Sequence, residues 1–139
     1  MSPKKNVAIS LPQTFPSGKA DPDYIRRFAR RAEELGFHSL WVQESIIGKS
    51  PQLDSIELLT FAAACTERIG IASAVLLTAL RSPVPLAKTL VTLDQLSAGR
   101  LTAGIGLGNP SAASTAFGVS ADTRLARFLE GFHIMKALW

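Results

Sequence analysis

Four apolar strand candidates begin at near-equal intervals along this chain, and that spacing limits the possible folds more than any single motif. The first is Val7–Leu11, ended by Pro12, and the second is Phe37–Gln43. The third runs from Ile69 or Ile71 to about Thr78, and the fourth is Leu101–Leu107. Starts near Val7, His38, Ile69 and Arg100 stand 31 residues apart. A helical segment fills each interval. Asp21 caps the first, with Pro22 at its first position and Gly36 at its end. Asp54 opens the second with Glu57 three residues on, the capping-box spacing, and this helix reaches about Arg68. Ser82 and Pro83 start the third, which ends at Ser97-Ala98-Gly99. Ser120 caps a last helix after a Gly/Pro/Ser-rich loop.

Short strands rejoin in parallel only through crossover segments, so this alternation predicts a parallel α/β sheet. Eight such units make about 250 residues, the usual length of a (β/α)8 TIM barrel. The expectation is therefore the first four β/α units of that barrel family, a half barrel forming one domain over residues 1–139 and truncated after the fourth unit. A doubly wound open sheet has the same alternation.

With 47% hydrophobic and 19% charged residues and a mean hydropathy of +0.20, the chain is too apolar for disorder and too mixed for a membrane protein. No apolar run approaches the roughly 20 residues of a spanning helix. Pro12 and Pro16 interrupt the run from Val7, so the start does not read as a signal peptide, and a cytoplasmic protein is expected. The net charge of +4 does not indicate nucleic acid. Its one cluster, Arg26, Arg27, Arg30 and Arg31, lies opposite a stripe of Ile25, Phe28, Ala29, Ala32 and Leu35, as the solvated face of a packed helix would. Cys65, the only cysteine, excludes a disulfide within the chain or a cysteine-based zinc cluster and reads as a buried thiol.

In a parallel sheet the binding residues lie at the C-terminal ends of strands. Here those ends are Leu11-Pro12-Gln13, Gln43-Glu44-Ser45, Leu76 to Arg81, and Leu107-Gly108-Asn109. They offer one carboxylate (Glu44), two hydroxyls (Ser45 and Thr78), the Asn109 amide and the Arg81 guanidinium. His38 opens a strand at the opposite face and His133 lies in the last helix, so no metal site and no Ser/His/Asp set is expected. Few acid–base groups beside much apolar wall suit a cofactor that brings its own reactivity.

Gly104-Ile-Gly106-Leu-Gly108 follows a strand, as a dinucleotide fingerprint does. The third glycine is one residue early, however, and Pro110 with a polar loop replaces the helix that would hold pyrophosphate. The glycines are better read as letting a flat ring approach the strand end. Relief of crowding inside a barrel would explain Gly104 and Gly106 but less readily Gly108. Within the third helix Asp94 is expected to pair with Arg100.

Three stretches resemble the luciferase-like monooxygenase superfamily: Glu67-Arg-Ile-Gly-Ile-Ala-Ser-Ala-Val75 followed by Arg81-Ser-Pro83 and Ala87-Lys88; Thr92 through Gly108; and Ala32 through Glu44. Arg124 with Glu130 is also similar. The resemblance implies a (β/α)8 barrel that uses reduced FMN with oxygen, or coenzyme F420, a deazaflavin, for hydride transfer. It places the cofactor ring against a third-strand bulge that often contains a non-prolyl cis peptide, here at Ala74-Val75. Leu107, Gly108 and Asn109 match a second contact along the ring edge. Glu44-Ser45 matches the catalytic position where many deazaflavin enzymes carry an acidic residue followed by His. Ser45 departs from that pattern, because a neutral hydroxyl is no general base near pH 7.

The resemblance thus implies a flavin- or deazaflavin-dependent oxidoreductase, with hydride transfer or oxygen insertion on a small organic substrate at the C-terminal face. The Leu11-Pro12 strand end and Glu44 lean toward F420. In the family the cofactor phosphate is held by the second half of the barrel, which this sequence lacks. The alternative is a catalytically inactive half-barrel fragment or dimerising module. The expected partners are a small-molecule substrate and either a second copy or a complementary half-barrel, with neither nucleic acid nor membrane among them.

Overall fold

A computed structural model describes residues 6–48, 50–109 and 112–139. The elements in chain order are β1 (Ala8–Ser10), α1 (Pro22–Glu34), β2 (Ser39–Val42), α2 (Ser55–Cys65) and β3 (Gly70–Leu77), then a 3-10 turn (Thr78–Leu80), α3 (Pro83–Leu96), β4 (Leu101–Gly106), α4 (Ala112–Ala116) and α5 (Ala121–Leu138). The four strands form one parallel sheet in the order β1-β2-β3-β4. This is the α/β arrangement of the TIM-barrel family through its first four units.

The even spacing in the sequence is the register of the sheet. Ala8 pairs with Ser39 and Ser39 with Gly70, each partner 31 residues further along. Ile71 pairs with Leu101, 30 residues on, and Leu76 with Ile105, 29 on, because β3 holds one extra residue between Ser73 and Leu76. That extra residue is a β-bulge.

Local chemistry sets the helix ends. Asp21 accepts the Tyr24 amide at 2.9 Å, Asp54 that of Ile56 at 2.8 Å, and Ser120 that of Thr123 at 3.2 Å. Each satisfies an amide that a helix start leaves without a partner. Ser82 is the N-cap of α3 but makes no side-chain cap bond. The end of α1 is a Schellman motif, with Phe37 N–H on the Ala32 carbonyl, Gly36 N–H on the Glu33 carbonyl, and Gly36 at φ +78. The end of α3 repeats it with Gly99 N–H on the Asp94 carbonyl and Ala98 N–H on the Gln95 carbonyl. There the left-handed position is held by Ala98, at φ 57.

One core lies between the sheet and its helices. Leu40, Val42, Ile71 and Leu76 from the strands meet Ile25, Ala29 and Ala32 of α1, Leu59 and Ala62 of α2, Leu90 and Leu93 of α3, and Met135 of α5. Fully burying a side chain such as Leu40, Ile71 or Leu76 contributes about 2–3 kcal/mol relative to exposure. The strand residues Ala8, Ser10, Ala74 and Thr102 are exposed instead, on the side where a closed barrel has its interior.

Several sequence expectations are revised. Leu35 is 59% exposed, because it caps α1 and turns away from the stripe. Cys65 is half-buried at the end of α2, where its carbonyl accepts Arg30 Nε at 3.2 Å. The loop after β4 contains α4. Arg100 does not pair with Asp94. It donates to the carbonyls of Ser97 (2.6 Å), Ala63 (2.9 Å), Ile69 (3.0 Å) and Thr66 (3.2 Å) and to Thr66 Oγ1 (2.9 Å). Four carbonyls, at the ends of α2 and α3 and just before β3, outcompete a single half-buried carboxylate. Asp94 instead faces the Leu101 amide at 3.4 Å. At the same face Glu33 accepts three successive amides, those of Glu67 (3.0 Å), Arg68 (2.6 Å) and Ile69 (2.8 Å). No helix among the described residues is long and apolar enough to cross a membrane.

Candidate functional site

Three side chains converge on the C-terminal end of β2. The Gln43 carbonyl accepts Gln13 Nε2 at 2.8 Å, Gln52 Nε2 at 2.7 Å and Ser55 Oγ at 2.9 Å. The Gln13 side chain also accepts the Gln43 amide at 2.7 Å, so it extends the β1–β2 ladder after Pro12 has ended the backbone pairing. These bonds fix where residue 44 projects.

The Glu44 side chain is 2% exposed. Its Oε2 accepts the backbone amide of Leu77, and its Oε1 accepts both Nε (2.9 Å) and Nη2 of Arg81. Arg81 Nη2 also donates to Asp54 Oδ2 at 2.7 Å, so one guanidinium ties the end of β2 to the cap of α2. Burial works against the Arg81 charge, but its bonds to Glu44 and Asp54 and their negative charge raise its pKa above the ordinary value. For Asp54, burial favours the neutral form, yet bonds from Glu57, Arg81 and the Ile56 amide outweigh it and lower the pKa to about 2. Glu57 moves the opposite way: its hydrogen bond with Asp54, and then its own burial, raise its pKa.

The β3 bulge sits beside this network. Ala74 and Val75 are both exposed, and the peptide bond between them is cis. Each foot of the bulge is held by a side chain. Ser73 Oγ donates to the Gly104 carbonyl at 2.9 Å, and Glu44 receives the Leu77 amide. Ala74 borders a hollow of about 200 Å³ with Ala8, Ser10, Trp41 and Gln43 on the open side of the sheet. Trp41 is fixed there by its Nε1–H bond to Ser39 Oγ at 2.6 Å. A second concavity, about 230 Å³, lies on the helical side between α1 and α2, lined by Pro22, Ile25, Leu58 and Phe61 among others.

The glycines of β4 have a more immediate purpose than a ring. A β-carbon on Gly104 would overlap the Ser73 carbonyl oxygen, and one on Gly106 would lie 2.5 Å from Val75 Cγ2. One on Gly108 would lie 2.6 Å from Leu77 Cδ2, and its φ of +67 favours glycine independently. All three therefore accommodate the bulged strand.

Of the residues singled out from the sequence, Glu44, Ala74, Val75 and Gly108 gather around the β3–β4 ends. Ser45 and Asn109 are exposed on the rim, and Leu107 is half-buried. Arg124 of α5 donates to the Gly108 carbonyl at 2.8 Å and braces that end. The sequence pointed to Arg81 as a strand-end cation and to Asp54 as a cap. It gave no sign that the two share Glu44, because contacts 37 and 27 residues apart depend on register.

Comparison with known proteins agrees with this geometry. The family model described as luciferase-like monooxygenase matches residues 6–139. An F420-dependent glucose-6-phosphate dehydrogenase of Kineococcus radiotolerans is 32% identical over 128 residues, covering 85% of this chain and 37% of that protein. The crystal structure of monooxygenase RslO1 from Streptomyces bottropensis superimposes with a TM-score of 0.82 at 32% identity, over 97% of this chain and 43% of that one. The FMN complex of the oxygenating constituent of 3,6-diketocamphane monooxygenase from Pseudomonas putida has a TM-score of 0.83 at 22% identity, over 96% and 40%, and supports the fold alone. The chain spans about a third of the length of the curated relatives it matches. With its four-unit register, its bulged third strand and a family match from Asn6 to Trp139, the chain belongs to the luciferase-like monooxygenase family.

Proposed function

We propose that this chain supplies the ring-facing wall of a coenzyme F420 or FMN site in an oxidoreductase acting on a small organic substrate, by hydride transfer or oxygen insertion. The observation that carries the reading is the exposed Ala74–Val75 bulge, anchored at both feet, with Ala74 on a hollow that Ala8, Ser10, Trp41 and Gln43 also line. A flat ring needs a wall with little projecting from it, and Ala8, Ser10 and Ala74 offer one beside the fixed indole of Trp41. Such a coenzyme supplies the redox chemistry when bound. The chain's own residues would then orient and shield. Ala74 and Val75 back the ring, Leu107, Gly108 and Asn109 border its edge, and the exposed Ser45 hydroxyl offers a hydrogen bond to a substrate oxygen. The F420-dependent name of the Kineococcus relative supports the deazaflavin, as do the Leu11-Pro12 strand end and Glu44.

Strands β1 and β4 are the two edges of the sheet, and the inner face is open. Four further strands, from a second copy or a complementary half-barrel, would cover both. Purification followed by absorption spectroscopy, with reconstitution by F420 or FMN, tests the site. A bound deazaflavin or oxidised-flavin spectrum supports it, and neither spectrum after reconstitution rejects it. Light scattering tests the assembly: a mass above one chain supports it, and a monomer that melts sharply opposes it.

A further inference from the structure

We infer that Glu44 is a positioning residue for the β3 bulge, with Arg81 and Asp54 holding it in place, and that it is not the group that transfers a proton. The inference rests on the ring-site reading above and deepens it. A proton-transfer group must reach the substrate with an available oxygen. The Glu44 side chain is 2% exposed and its carboxylate is turned inward, Oε2 onto the Leu77 amide and Oε1 onto Arg81. Both oxygens are thus committed to donors inside the protein.

What this carboxylate does control is the foot of the bulge. The β3–β4 pairing is interrupted between Ser73 and Leu76, so the segment that carries Ala74 and Val75 lacks a regular ladder. Ser73 Oγ holds the side nearer the start of β3, and Glu44 holds the amide just after Leu76. A bond from a charged acceptor to a backbone amide is among the stronger hydrogen bonds in proteins. Its direction is fixed in turn, because the three donors on the Gln43 carbonyl set the end of β2 and Arg81 spans Glu44 and Asp54. The position of the ring wall is therefore set from β2 and α2 as well as from β3 itself.

The test is amide hydrogen exchange of the whole chain, combined with titration by F420 and by FMN, in wild type, Glu44→Gln, Glu44→Ala and the double variant Glu44→Ala/Arg81→Met. The double variant removes the carboxylate without leaving the guanidinium buried and unpaired, which by itself would threaten folding. In Glu44→Ala and in the double variant, exchange over residues 74–78 should rise about tenfold or more while the cores of α1 and β2 keep their protection. Glu44→Gln retains an acceptor for the Leu77 amide but turns its –NH2 toward Arg81, so its exchange should rise by less than in the Ala variants, by about threefold. Cofactor affinity should follow the exchange, falling about tenfold in the Ala variants and little in Glu44→Gln, with the pH dependence of binding and turnover unchanged in Glu44→Gln. Unchanged exchange over 74–78 in both Ala variants overturns the inference. So does a Glu44→Gln protein that keeps wild-type exchange and affinity but loses turnover or one limb of its pH profile. If wild type binds neither cofactor, the ring-site reading fails, and the exchange data still decide whether Glu44 holds the bulge.

Discussion

The carbonyl oxygen of Ser73 occupies the space where a side chain on Gly104 would begin, and the Ser73 hydroxyl bonds the Gly104 carbonyl at 2.9 Å. Bulge and glycine are thus a matched pair on neighbouring strands. Gly104→Ala should destabilise the chain by about 2–3 kcal/mol, because the neighbour it meets is backbone and cannot turn aside. Gly131 of α5 provides the contrast. A β-carbon there would meet Pro83 Cβ at an ordinary 3.7 Å. Gly131→Ala should therefore stabilise by about 0.5–1 kcal/mol, since alanine restricts the unfolded chain and favours helix. Urea unfolding of both variants measures the difference, and a Gly104→Ala protein as stable as wild type would contradict the bulge geometry.

Ala98 holds the left-handed position that ends α3, where α1 has Gly36. A β-carbon is unfavourable in that conformation by about 1 kcal/mol. Ala98→Gly should therefore raise stability by several tenths of a kcal/mol to about 1 kcal/mol, the relief being partly offset by the greater freedom of unfolded glycine. Thermal melting checks the sign.

Glu33 provides a pH signature. Burial alone would raise its pKa, but the amides of Arg68, Ile69 and Glu67 and the nearby Arg68 charge reverse that and hold it below the ordinary 4.5. A carboxylate with a depressed folded pKa contributes stability above its unfolded value and loses that contribution as pH falls through the folded one. Glu33→Gln should therefore cost about 1 kcal/mol near neutral pH, a figure already reduced for solvent screening. The gap to wild type should close as pH falls below 4.5. Asp54, at about 2, loses its contribution in the same direction but further down, between 3.8 and 2. Melting curves from pH 7 to about pH 2 test this, and a Glu33→Gln gap that widens with acid would contradict it.

The Arg100 side chain makes five hydrogen bonds, to the ends of α2 and α3 and to Ile69 just before β3, and four of them go to backbone carbonyls. Lysine has one nitrogen and cannot reproduce that fork. Arg100→Lys should cost about 2 kcal/mol, and Asp94→Asn, which breaks no ion pair to Arg100, about 0.5 kcal/mol or less. Equal effects from the two substitutions would restore the pairing suggested by the sequence.

The parts legible in the sequence were those governed by local chemistry or period. The caps at Asp21, Asp54 and Ser120 follow from side-chain oxygens placed before apolar runs. The 31-residue spacing proved to be the register of β1–β2 and β2–β3, and the β3–β4 register is one to two residues shorter. The family motifs placed the bulge at Ala74–Val75. What could not be read depended on geometry between strands. Arg100 and Asp94 are near in sequence and opposite in charge, yet the carbonyls of Ala63, Thr66, Ile69 and Ser97 were the stronger attraction. The glycines from 104 to 108 suggested a bound ring, but the bulge in the neighbouring strand accounts for Gly104 and Gly106, and a positive φ for Gly108. The contact between Glu44 and Leu77 crosses 33 residues and requires knowing which strand ends lie side by side.

The central claim is that a flavin-type ring rests on the Ala74–Val75 bulge, and methyl NMR during cofactor addition tests it most directly. Binding F420 or FMN should give large ring-current shifts on the methyls of Val75, Ala74 and Ala8, with small shifts on Ile25 and Leu58 in the hollow between α1 and α2. Shifts confined to that outer hollow, or no shifts at saturating cofactor, would contradict it.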